Sequence, residues 1–232
     1  MKFALVCVKL CIFVQLYNSI DMRKILIIIA LVLLAIPMFA QTIESVDVKK
    51  APNGMFKTKG GDCLIEGNVQ NGIKEGSWME YYTSPALLPK RIVTYEKGKK
   101  NGVSLEMDKT GTVTKKTEYK NDLLDGQVSE WYRGGRLSKS NTYKNGVMDG
   151  EQILCYEKGG KLEVSHYKNG QRDGVSTWFY ESGQKKMTIE YKNGQFDGKQ
   201  ESFYPDGSLK SEAVYKAGKQ QGKTKTYAEK KK

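Results

Sequence analysis

The chain has 232 residues, 39% of them hydrophobic and 28% charged, with 24 glycines, five prolines and a formal net charge of +12. So few apolar residues argue against a large buried core. A single histidine with four cysteines leaves no standard zinc site, because the two cysteines nearest it in any useful sense are far apart in the chain.

Residues 22–40 read MRKILIIIALVLLAIPMFA. Arg23 and Lys24 supply a positive start, Ile25 to Met38 an apolar run, and Ala40 before Gln41 a cleavage point, which together make a secretory signal peptide. The run falls short of the ~20 residues that cross a bilayer, so an inner-membrane anchor is the second reading. Residues 1–21 read as a start placed too early, with Met22 the initiator; a two-helix membrane hairpin turning near Asp21 is the alternative. A hydrophobic leader helix over 1–40 is therefore expected. Residues 41–60 are polar, with a turn at Pro52-Asn53-Gly54, and are expected to form an irregular lead-in or a capping strand.

From residue 61 to 227 the chain repeats. Tyrosine recurs every 24 residues at Tyr95, Tyr119, Tyr143, Tyr167, Tyr191 and Tyr215. Glycine recurs with the same period at Gly102, Gly126, Gly150, Gly174, Gly198 and Gly222, and again at Gly111, Gly135, Gly159, Gly183 and Gly207. Such a period marks a repeat architecture rather than one globular core. Asn169-Gly170 and Asn193-Gly194 suit the positive φ of hairpin turns, and Ser182-Gly183 and Asp206-Gly207 mark a second turn halfway between them. About six residues of strand-favouring composition separate the turns, with Gly174 to Tyr180 one strand and Lys185 to Tyr191 the next. Cys63 to Val69 reads as the first strand. The unit at Gly76 is stretched around Ser84-Pro85-Ala86-Leu87-Leu88-Pro89, a longer loop and a candidate contact site. The fold class is thus all-β: an elongated, single-layer antiparallel meander of about seven 24-residue hairpins. Fourteen strands at ~4.8 Å each would extend roughly 65 Å.

Two aromatic columns run through the array. One holds Tyr81, Met107, Trp131, Cys155, Phe179, Phe203 and Tyr227. The residue after each is Tyr82, Tyr132, Tyr156, Tyr180 and Tyr204, with Asp108 the exception. Neighbours on a strand face opposite ways, so both faces carry aromatics. Trp131, Trp178 and Tyr180 are the candidate partner contacts, being the residue types that dominate protein interfaces.

The pattern YKNGxxDGxxxxxYxxGxL, strongest at 143, 167 and 191, resembles the MORN-variant repeat (membrane occupation and recognition nexus) found in bacterial proteins labelled YwqK-like antitoxins. Asn121-Asp122 departs from it, as do Ala217-Gly218 and Gln221-Gly222. The resemblance implies a twisted sheet used as a scaffold, and an antitoxin-type inhibitor as a second function.

The charge is carried unevenly. Residues 119–214 balance, whereas residues 215–232 hold seven basic side chains against Glu229 alone. No basic stripe crosses the repeats, so nucleic acid is not the expected partner. The tail at 228–232, with Lys230, Lys231 and Lys232, could meet an anionic envelope or glycan surface. Cys63 and Cys155 are about seven strands apart, too far for a disulfide. Cys155 should face Lys161 or Leu162, and His166 should face Glu151, so no Cys–His pair forms. Glu80 and Glu106 read as solvent-facing carboxylates without the apolar pocket a general acid needs. No catalytic, cofactor, metal or small-molecule site is expected. The expectation is an exported, non-enzymatic repeat scaffold with a protein partner at the envelope: periplasm, outer-membrane surface or medium.

Overall fold

The computed structural model describes residues 42–60 and 62–229. The expected leader helix and Lys230 to Lys232 lie outside the described residues.

The described residues form one open antiparallel meander, with no helix among them. The first elements are β1 (Gly54–Gly60), β2 (Cys63–Gln70), β3 (Ile73–Tyr82), β4 (Leu88–Glu96), β5 (Lys99–Met107), β6 (Val113–Lys120), β7 (Leu123–Trp131) and β8 (Leu137–Lys144). They continue as β9 (Val147–Cys155), β10 (Lys161–Lys168), β11 (Gln171–Arg172), β12 (Gly174–Phe179), β13 (Lys185–Lys192), β14 (Gln195–Phe203), β15 (Leu209–Lys216) and β16 (Lys219–Thr226). Each strand between the edge strands β1 and β16 pairs with the one before it and the one after it, except that β11 and β12 both pair with β10 as an interrupted strand.

The hairpin turns follow from residue chemistry. Asn145-Gly146 and Asn169-Gly170 both have two positive φ values (49° and 83°, 49° and 80°), the combination that matches the twist of the flanking strands. Most strands are eight or nine residues long rather than six, and β5, β7, β9 and β14 run through the second glycine instead of starting at it, whereas β12 begins at Gly174 as expected. Gly150 has φ 124° and sits in register with Tyr167, while the pairing of β8 with β9 slips between Asn141 and Tyr143. It is a bulge glycine within the strand.

β1 lies within residues 41–60, where a capping strand was one of the two readings, and pairs with β2 from Gly54↔Val69 to Gly60↔Cys63. Ahead of it, residues 42–53 are irregular, and of them Ile43, Val46 and Val48 are buried while most of their neighbours are exposed. Ile43, Val46 and Val48 pack with Ile65, Val69, Trp78, Val93 and Tyr95 into an apolar cluster, flanked by Phe56 and Ala51. Gly67 makes room for it: a Cβ there would run into the Trp78 ring. The core sits at one end of the sheet, and the lead-in is its second layer.

A candidate interaction face and its covered end

Cross-strand register sorts the side chains into columns. Gly76↔Tyr95, Gly102↔Tyr119, Gly126↔Tyr143, Gly150↔Tyr167, Gly174↔Tyr191 and Gly198↔Tyr215 are direct partners. All six signature tyrosines therefore stand on one face, each opposite a residue without a side chain. The space left by glycine is filled from the other side. Tyr119 pairs with Leu124, Tyr143 with Met148, Tyr167 with Arg172 and Tyr191 with Phe196. Phe196 meets Tyr191 and Tyr215 edge-on, at 5.0 and 5.2 Å between ring centres. Arg172 lies over Tyr167, Trp178 and Tyr191 at 5.5–5.6 Å, while its guanidinium reaches Glu163 at 2.6 Å, Ser165 at 2.7 Å and Ser176 at 3.0 Å.

The repeats are also tied along the sheet. Carboxylates of Asp125, Asp149, Asp173 and Asp197 each accept the backbone N–H of the residue 20 positions on: Asn145, Asn169, Asn193 and Ala217. On the opposite edge, hydroxyls of Tyr82, Tyr132, Tyr156, Tyr180 and Tyr204 donate to the carbonyls of Met107, Cys155, Phe179, Phe203 and Tyr227. These tie residues were visible as fixed offsets in the sequence; what they bond to was not. The departures from pattern explain themselves here. Asp122, replacing glycine at φ 69°, accepts the Lys100 N–H at 2.8 Å. Asp108, replacing tyrosine, closes its own turn by accepting from Thr110 and Thr112.

The tyrosine face is covered at its first end. Tyr95 is 5% exposed, and its phenol is pushed to a higher pKa by burial and then by the Glu44 charge. Lys74 lies over Trp78 and Tyr95 and donates to the carbonyls of Ile43 and Glu44. Glu44 pairs with Arg91 and, at 2.9 Å, with Lys100. Burial alone would raise the Glu44 pKa, but the Lys100 and Arg91 cations outweigh it and hold it at about 2. Glu80, expected to face solvent, is 1% exposed and paired with Lys90 at 2.5 Å and Arg91 at 3.3 Å. It faces the tyrosine side, where the lead-in excludes water. Beyond Tyr95 the apolar cluster ends, and Tyr119, Tyr143, Tyr167, Tyr191 and Tyr215 are only half-buried.

Two open clefts flank this end. One, of about 330 Å³, is lined by Thr42, Glu80, Tyr82, Lys90, Arg91, Glu106 and neighbours; the other, of about 600 Å³, lies between Tyr82, Lys109 and Arg133. Cys63 is buried with its sulfur 3.3 Å from Lys90 Nζ, and burial pushes both free thiols up. Cys63 and Cys155 stand on β2 and β9, and the pairs Cys155↔Lys161 and His166↔Glu151 are as expected. His166 Nδ1 lies 3.0 Å from the Val175 carbonyl oxygen. No group of three His, Cys, Asp or Glu gathers among the described residues.

The candidate contacts are not brought together. Trp178 lies on the tyrosine face under Arg172, whereas Trp131 follows Glu130 onto the other face; both are half-buried. Tyr180 is half-buried and its hydroxyl is committed to Phe203. Leu87, in the expected contact loop, is 58% exposed.

No curated protein matches the chain. The model of the MORN repeat variant matches residues 172–193 and 196–217, two consecutive units of the array whose hairpin geometry continues on both sides of the match.

Proposed function

We propose that the protein is an exported, non-catalytic scaffold that offers its tyrosine face to a protein partner at the cell envelope. One observation carries this reading. The chain covers that face with its own residues 43–48 over the first hairpins, then repeats the same tyrosine column half-exposed over the next five units. Side chains that already dock one segment are suited to docking another, since aromatic and arginine anchors carry most contact energy. The MORN repeat variant at 172–217 is consistent with a repeat scaffold in protein or membrane interaction.

An antitoxin-type inhibitor would use the same face in the cytoplasm, so compartment separates the two readings. N-terminal sequencing of the natural product should return a start near Gln41. A start at Met1 or Met22 in a cytoplasmic fraction contradicts export. Pull-down from envelope fractions should lose its partner with Tyr143→Ser and Tyr167→Ser together. Retention of the partner by that variant would exclude the face.

A further inference from the structure

We propose that the tyrosine face beyond β5 takes an extended partner segment in which apolar residues alternate with carboxylates. The inference rests on the scaffold reading and names the chemistry of its partner.

The lead-in is the template. In Ile43-Glu44-Ser45-Val46-Asp47-Val48, the three apolar side chains are 0–6% exposed against the sheet, and Glu44 answers Arg91 and Lys100. Translating the site by one and two repeats carries Tyr95 to Tyr119 and Tyr143, and Arg91 to Lys115 and Lys139. The basic positions persist, alternating with Glu106 and Glu130: Lys115 stands between the two, 3.6 Å from the Glu130 carboxylate, and Lys139, on the far side of Glu130, makes no ion pair with a described residue. The position of Lys74 passes to Lys100, then to Leu124 and Met148, so the apolar stripe widens to Tyr119, Leu124, Tyr143 and Met148.

Between stripe and lysines the floor changes. Trp78 and Val93 give way to Ser104, Thr117, Val128, Asn141 and Gln152. Asn141 and Gln152 bond each other at 2.9 Å, so this floor is satisfied without a cover. A partner would then lie along the stripe with its carboxylates toward Lys115 and Lys139. Lys100 is already paired with Glu44, and Leu124 and Met148 stand where Lys74 holds backbone carbonyls, so the open site should bind less tightly than the lead-in does. A second copy, or a basic or lipid surface, fits this arrangement less well, because the lysines call for negative charge on an extended chain.

The probe is a fluorescein-labelled synthetic peptide of residues 42–51, titrated by anisotropy into the full mature chain. Saturable binding is expected, weakened about tenfold by Lys115→Glu with Lys139→Glu and left unchanged by Lys116→Glu on the opposite face. A peptide with lysine at both acidic positions should not bind. Absence of saturable binding, equal binding of the lysine peptide, or less than a twofold effect of the double variant would each overturn the proposal. The scaffold reading survives those results if the Tyr143 and Tyr167 pull-down still depends on the face, so the two failures are distinguishable. Circular dichroism of each variant confirms that the sheet is intact.

Discussion

The Asp173 carboxylate accepts the backbone N–H of Asn193, 3.2 Å away and 20 residues further along the chain. Four such ties, at 125, 149, 173 and 197, turn a string of hairpins into a sheet whose units are each fastened to the next. In a repeat array stability is held largely at such interfaces. Asp173→Ala should therefore cost about 1 kcal/mol by urea denaturation, and Asp173→Asn, which keeps an acceptor oxygen, less. No change in either would mean that the turns are held by their backbone alone.

The tyrosine ties on the other edge give a cleaner comparison. Tyr180→Phe keeps the ring and loses only the hydroxyl bond to the Phe203 carbonyl, 2.8 Å away. About 1 kcal/mol is expected from that bond, and a larger loss from Tyr180→Ala, which also removes the packed ring. Equal costs for the two substitutions would show that the hydroxyl is idle.

Arg172 is the most heavily committed side chain of the later repeats, stacked on three rings and paired with Glu163, itself 7% exposed. Arg172→Ala should cost roughly 3 kcal/mol, because it leaves a buried carboxylate without its cation and with only the Ser165 hydroxyl donating to it. Adding Glu163→Gln should recover part of the loss. Arg172→Lys should not, since lysine lacks the flat fork that stacks and bridges at once. A thermal or urea series across the four chains checks the order.

The lead-in should come off the sheet in acid. Glu44, faced by Lys100, Arg91 and Lys74, is held at about 2 against an ordinary 4.5. A depressed carboxylate contributes stability that is complete above its unfolded pKa and is lost as pH falls through the folded one. The window is thus about pH 4.5 down to about 2. In a chain whose only tryptophan is Trp78, emission should shift to the red across that window. Glu44→Gln should have lost the ion-pair contribution already at pH 7, with the shift in acid reduced. An identical acid transition in both chains would remove Glu44 from the account.

The period, the hairpins, the antiparallel order and the pairing of Cys155 and His166 could all be read from spacing, because strand register is fixed by turns and alternation. The ends of the strands could not. Gly150 looks the same in sequence whether it opens a strand or kinks one, and its φ of 124° with the slipped pairing beside it decides for the kink. The face that the lead-in covers was not legible either. Thr42 to Asn53 has no period, and only Ile43, Val46 and Val48 hint at a buried edge, so nothing in it tells which sheet face it covers. Glu80 went wrong for the same reason: a strand carboxylate is solvent-facing until a segment some 36 residues earlier folds over it. Asp149 and its equivalents are visible in the sequence only as the aspartate of the YKNGxxDG pattern, and nothing in that spacing names the backbone N–H each one accepts.

Site-specific photo-crosslinking in the living cell tests the central claim most directly. A photoreactive phenylalanine derivative in place of Tyr143 or Tyr167 should yield a discrete cross-linked species, and the same group at Thr142 or Val164, on the reverse of the sheet, should not. Equal capture from both sides, or capture only from the reverse, would contradict a tyrosine face that receives the partner.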